Sequence, residues 1–169
     1  MGRNGVSSGV SDGAETFEEF VAAFAGTLGR LCFQLTGAQD AALDLAQDVL
    51  ERVYAQWAKV SQADHPYAYA RRIAVNTHLN STRRRLTTVA TDPAEFDTAV
   101  DQAQPDDTLW QALATIPPRQ RAALVLRYYE DCTESDIAAA LNCRPATVRS
   151  LVARGLTTLR ASELLRSEP

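Results

Sequence analysis

The sequence predicts an all-α protein built from two small helical domains joined by a flexible acidic linker. Three observations carry that expectation. Apolar residues recur at helical spacing in both halves of the chain, capping signals stand just ahead of those stripes, and a charge-dense stretch without apolar periodicity lies between them. With 169 residues the chain can form one ordinary domain or two small ones, and a 46% hydrophobic content suffices for packed cores. The net charge of −4 excludes a uniformly basic protein that holds nucleic acid by bulk charge. No apolar run approaches the ~20 residues needed to span a bilayer, so no membrane insertion is expected. The Gly- and Ser-rich start, residues 1–15, lacks the apolar segment of a secretory signal and reads as a disordered extension. Cys32, Cys132 and Cys143 form no C-x-x-C pair, so neither a metal site nor a disulfide framework is expected, and a reducing cytoplasm is the default location.

The charges alternate in blocks. Residues 1–65 carry 4 basic and 9 acidic side chains, residues 66–88 carry 5 basic and no acidic ones, residues 89–108 carry 6 acidic and no basic ones, and residues 109–169 carry 8 basic and 6 acidic ones. Two modules with local basic faces and an acidic connector fit this pattern. The connector, residues 87–105, contains TTVATDPAEFDTAVDQAQ followed by Pro105, and allows one helical turn near Ala94–Val100.

The first module, residues 16–86, opens with a Thr16–Glu19 capping signal. Phe17, Phe20, Val21, Phe24, Leu28, Leu31, Cys32 and Leu35 then mark one helical face, and Gly37 suits its end. A second helix is expected from Asp40 to Ala58, with Leu45, Val49, Leu50, Val53, Tyr54 and Trp57 inward. Asp44, Gln47, Asp48 and Glu51 occupy its other face. That acidic stripe fits either a solvated surface or a docking site for a basic partner. After the polar break Ser61–His65, Pro66 opens a third helix in which Arg71, Arg72, Arg83, Arg84 and Arg85 meet no acid. Tyr67 and Tyr69 offer ring faces for bases, the arginines offer phosphate contacts, and Asn76 and Asn80 can bond base edges, while Ile73, Ala74 and Thr77 face a core. Ordinary packing of the tyrosines and a solvated arginine run are the alternatives. His65 and His78 lack any ligand cluster.

The second module, residues 106–169, starts with a short helix at Asp106–Thr108. Pro117–Pro118 begins another, with Leu124, Leu126, Tyr128 and Tyr129 available for packing. Thr133 and Asp136 cap a third, Asn142–Cys143 turn the chain, and Pro145 starts a fourth. Val148, Leu151, Val152, Leu156 and Leu159 give the fourth helix its apolar face, leaving Thr147, Arg149, Ser150, Ala153 and Arg154 outward. A short helix, a tight turn and a second helix with a Thr/Arg/Ser face form a helix-turn-helix suited to a major groove.

The order DLAQDVLERVYAQW, HPYAYARRIAVN, acidic linker, IPPRQRAALVLRYYED, TESDIAAAL, ATVRSLVARG resembles the extracytoplasmic-function (ECF) group of sigma-70 factors, and within it the sigma-E-like actinobacterial branch. The resemblance covers roughly Phe17 to Leu165. It implies a dissociable subunit of bacterial RNA polymerase that directs promoter-specific initiation. The first module becomes sigma region 2 and the last becomes sigma region 4. Asp44, Gln47, Asp48 and Glu51 would dock on the beta-prime clamp helices, and the last domain on the beta flap. Ser61, Asp64, His65, Tyr67, Arg72, Asn76, Asn80, Arg83 and Arg84 would hold the minus-ten element, and Arg144, Thr147, Arg149, Ser150 and Arg154 the minus-thirty-five element. An anti-sigma partner is implied as well. Arg144 stands where the family often has a capping Ser, so it is expected to reach a phosphate instead. No cofactor and no catalytic constellation are expected, so the chain does not read as an enzyme. A stand-alone helix-turn-helix regulator, or a sigma-like protein that acts by sequestration, are the alternatives.

Overall fold

Thr16 and Glu19 cap each other's backbone at the start of α1 (Phe17–Thr36): the Glu19 N–H donates to Thr16 Oγ1 at 3.2 Å and the Thr16 N–H donates to Glu19 Oε2 at 3.2 Å. The computed structural model describes residues 16–89 and 107–166, and among them every regular element is a helix. The remaining helices are α2 (Gln39–Ala55), α3 (Trp57–Val60), α4 (Pro66–Val89), α5 (Asp107–Ala114), α6 (Pro118–Tyr128), α7 (Glu134–Leu141) and α8 (Pro145–Arg166). The N-terminal extension and the expected turn near Ala94–Val100 lie outside the described residues.

In the first domain α1, α2 and α4 pack on one another, with Phe20, Leu28, Leu31, Cys32 and Leu35 of α1 buried as their spacing predicts. Ala74 and Thr77 hold α4 to this core. Burial pushes the Cys32 thiol up to about 12, so it stays protonated at neutral pH. The helix expected over Asp40–Ala58 is broken at Gln56, whose backbone leaves helical geometry (φ −112°, ψ 18°). Beyond the break Trp57 packs edge-on to Phe17 and Phe20, at 5.7 and 5.6 Å between ring centres. Tyr54, expected inside, is 65% exposed and meets Phe17 edge-on at 5.1 Å. Helix α4 continues to Val89, three residues past the end expected for the first domain.

In the second domain Pro118 starts α6, where a missing N–H is harmless. Thr133 and Asp136 form the expected capping box of α7, and their hydrogen bonds hold the Asp136 carboxyl below its ordinary range. Asn142 ends α7 in the left-handed region (φ 50°, ψ 54°). The Arg144 carbonyl accepts the first bonds of α8, from Thr147 and Val148. Val148 and Val152 are buried, as the stripe predicts. A Cβ on Gly155 would lie 2.8 Å from Leu124 Cδ1, so glycine there lets α8 lie close on α6. Helix α6 departs from a one-faced pattern: Arg121 to Leu126 are all buried, because α6 is flanked by α8, α7 and the first domain at once. Tyr128 and Tyr129, expected to pack, are 56% and 45% exposed.

The two domains meet along a seam of α1 and α4 against α6 and α7. Arg121 Nε donates to the Gln34 carbonyl at 3.1 Å, near the C-terminal end of α1, where a helix favours a cation. Arg121 Nη2 is buried without a hydrogen-bond partner, and burial lowers the guanidinium to about 10. Gly37, at φ 77°, caps α1 beside it, and a Cβ there would sit 2.7 Å from Arg121 Nη2. Elsewhere in the seam Glu130 Oε2 accepts from Tyr67 Oη at 3.2 Å and pairs with Arg71 at 3.5 Å. Phe33 meets Trp110 edge-on at 5.4 Å. His78 on α4 is held down to about 4, first by burial and then by the charges of Arg121 and Arg85.

Gly37→Ala should destabilise the chain by ~1–3 kcal/mol, from left-handed strain and from the clash with Arg121. A lowered urea midpoint is the measurement. Because His78 is neutral when folded and ordinary when unfolded, the unfolded chain binds the extra proton between about pH 6.5 and 4. Stability should therefore fall as pH drops through that window, and His78→Gln should flatten this part of the urea-midpoint profile.

Candidate nucleic-acid interface and docking face

Helix α4 presents two sides. One side and the end of α2 enclose a cleft of about 240 Å³ lined by Arg52, Gln56, Tyr69, Arg72, Ile73, Asn76, Thr77 and Asn80. No carboxylate is among these residues. The helical period brings Arg72, Asn76 and Asn80 together, each exposed and each four residues from the next. The break at Gln56 turns α2 so that Gln56 Oε1 accepts from Tyr69 Oη at 3.2 Å. The cleft thus combines two guanidinium groups, three amides and a phenol. Its volume is below the roughly 300 Å³ at which small-molecule pockets begin. Arg83 and Arg84 lie exposed farther along α4.

The sequence reading missed Arg52 and Gln56. Both sit on or at the end of a helix read as acidic, and the packing of α2 on α4 brings them to the cleft. Tyr67, expected with the minus-ten residues, is placed on the other side of α4. Its ring stacks on Phe24 at 5.1 Å, its hydroxyl bonds Glu130, and burial and the Glu130 charge raise its pKa. Ser61, Asp64 and His65 form the turn before α4, with Asp64 and His65 exposed, and do not line the cleft.

On α2 the residues Asp44, Gln47, Asp48 and Glu51 are all exposed, and Gln47 Nε2 donates to Glu51 Oε1 at 3.3 Å. Leu43, 59% exposed, and Tyr54 flank this stripe, so the face is acidic with apolar edges. On the helix-turn-helix, Arg144, Thr147, Arg149, Ser150 and Arg154 are exposed together along α8. Ser150 Oγ donates to the Ala146 carbonyl at 3.3 Å, and Arg149 Nη1 meets Glu134 Oε1 at 2.6 Å. Among the described residues no helix is long and apolar enough to cross a membrane, and no group of His, Cys, Asp or Glu is placed to hold a metal.

The fold is thus a helical domain with an arginine- and amide-lined cleft and a separate acidic face, joined to a helix-turn-helix domain. Comparison with known proteins places that architecture in a family. The sigma-70 region 2 model matches residues 20–87, and the sigma-70 region 4 model matches residues 106–159. The RNA polymerase sigma-E factor of Streptomyces coelicolor is 32% identical over 154 residues, 89% of this chain and 87% of that protein. The ECF RNA polymerase sigma factor SigE of Mycolicibacterium smegmatis is 32% identical over 157 residues, 86% of this chain and 60% of that protein. In fold, the chain is similar to the sigma factor RpoE of Bartonella quintana, solved in complex with the anti-sigma factor NepR. The TM-score is 0.73 at 23% identity, over 90% of this chain and 98% of that one. The chain belongs to the sigma-70 family, in its ECF, sigma-E-like group.

Proposed function

We propose that this chain is a cytoplasmic sigma subunit that docks on core RNA polymerase through α2, holds a single strand of the minus-ten element in the α2–α4 cleft, and reads the minus-thirty-five element with α8. The observation that carries the proposal is the acid-free cleft of Arg52, Gln56, Tyr69, Arg72, Asn76 and Asn80. A strand separated from its duplex exposes base edges and ring faces, and amides, a phenol and arginines are the groups that bind them. No group in the cleft has to perform bond chemistry. The work is to stabilise the open strand, which offsets an unstacking cost of a few kcal/mol per base.

The division of charge supports the same reading. A chain of net charge −4 gains little from counterion release on its own, so its free affinity for DNA is low. Docking on polymerase raises the effective concentration of both DNA-reading faces at one promoter. The acidic stripe with Leu43 and Tyr54 at its edges suits a basic, partly apolar helix pair such as the beta-prime clamp, and the second domain would reach the beta flap. A small anti-sigma protein that covers these faces would silence the chain.

Asp48→Lys with Glu51→Lys should abolish co-purification with core polymerase while leaving the helical circular dichroism unchanged; undiminished co-purification removes α2 as the docking face. Asn76→Ala and Arg52→Ala should each weaken holoenzyme binding to a single-stranded minus-ten oligonucleotide by about 5- to 150-fold, on the basis of ~1–3 kcal/mol per base-edge contact. Duplex minus-thirty-five binding should be unaffected, and permanganate reactivity of the bubble should fall in parallel.

A further inference from the structure

Glu134 is the first residue of α7, and its backbone is fixed by the capping box around it. The Asp136 N–H donates to Thr133 Oγ1 at 3.1 Å and the Thr133 N–H donates to Asp136 Oδ2 at 3.3 Å. From that fixed turn its carboxylate reaches across the helix-turn-helix to Arg149 Nη1 at 2.6 Å. The Glu134 side chain is 29% exposed and that of Arg149 is 66% exposed, so the anchor is the better buried of the two. Arg149 lies one turn into α8, on the face with Thr147, Ser150 and Arg154.

A flexible arginine on a DNA-facing helix finds phosphates easily and adds affinity for every sequence. Reading a guanine edge is more demanding, because the planar fork must arrive in the plane of the base. A carboxylate that grips one end of the guanidinium limits its rotamers, offsets its charge toward the phosphate backbone and leaves the rest of the fork for a base. We infer that Glu134 is the positioning residue for Arg149, and that it trades general DNA affinity for base discrimination at the minus-thirty-five element. This inference rests on the proposed sigma function.

The test uses holoenzyme assembled from the full chain and core polymerase. Its probes are a minus-thirty-five duplex selected by wild-type holoenzyme from a randomised pool, the single-base variants of that duplex, and an unrelated duplex. Glu134→Gln should reduce the preference for the selected duplex over one base variant by about two- to five-fold, the range open to an exposed ion pair. It should also bind the unrelated duplex more tightly, with a salt slope steeper by about 0.9 for one added phosphate contact. Arg149→Ala should lose the same preference, and the double variant should lose no more than Arg149→Ala alone. A urea midpoint matching wild type separates positioning from loss of the α7 cap. Retained preference in Glu134→Gln, equal weakening on every duplex, or strict additivity in the double variant overturns the inference. If wild-type holoenzyme selects no duplex from the pool, the sigma reading itself fails.

Discussion

One guanidinium taken out of water ties the halves of this molecule together. Arg121 leaves α6 and donates to the Gln34 carbonyl near the end of α1, where the helix presents partial negative charge. The site exists only because Gly37 has no side chain to occupy it. Burying a cation with an orphaned N–H is unfavourable by itself, and the apolar packing on either side has to offset it. The seam is therefore held by geometry as much as by energy. Glu130 adds a second polar node by receiving Tyr67 and Arg71 from α4, so the inner side of α4 belongs to the domain contact and its outer side to the cleft.

Much of this was legible in the residue order. The Thr16–Glu19 and Thr133–Asp136 boxes, the α1 stripe and the α8 stripe follow from short-range rules, because a capping bond or an i, i+3, i+4 face is decided within a few residues. The exposed set Arg72, Asn76 and Asn80 is equally local. Features decided between helices were not legible. Nothing in IPPRQRAALVLRYYED marks Arg121 as buried until α1 is laid beside it. Tyr54 and Trp57 look alike on a helical wheel, yet both reach the Phe17 ring while Tyr54 stays 65% exposed and Trp57 packs deeper, onto Phe20 as well. Arg52 and Gln56 reach the cleft through the packing of α2 on α4, which the residue order does not show. The side that Tyr67 takes is likewise set between helices: the residue order gives its helix but not that Phe24 meets its ring and Glu130 its hydroxyl.

Charge is arranged locally rather than on average. The acid on α2 faces outward, no carboxylate lines the cleft, and Glu134 pairs with Arg149 of α8. A chain of net charge −4 thus carries separate acidic and arginine-bearing surfaces.

Both tryptophans of the chain occupy informative places. Trp57 is set among Phe17 and Phe20 inside the first domain, whereas Trp110 bridges the domains between Phe33 and Tyr129. Their indole emission consequently reports on different events. One ring senses the integrity of a single hydrophobic interior, and the other senses whether the halves remain in touch. The protein carries a built-in optical gauge of its own articulation, readable without any attached dye.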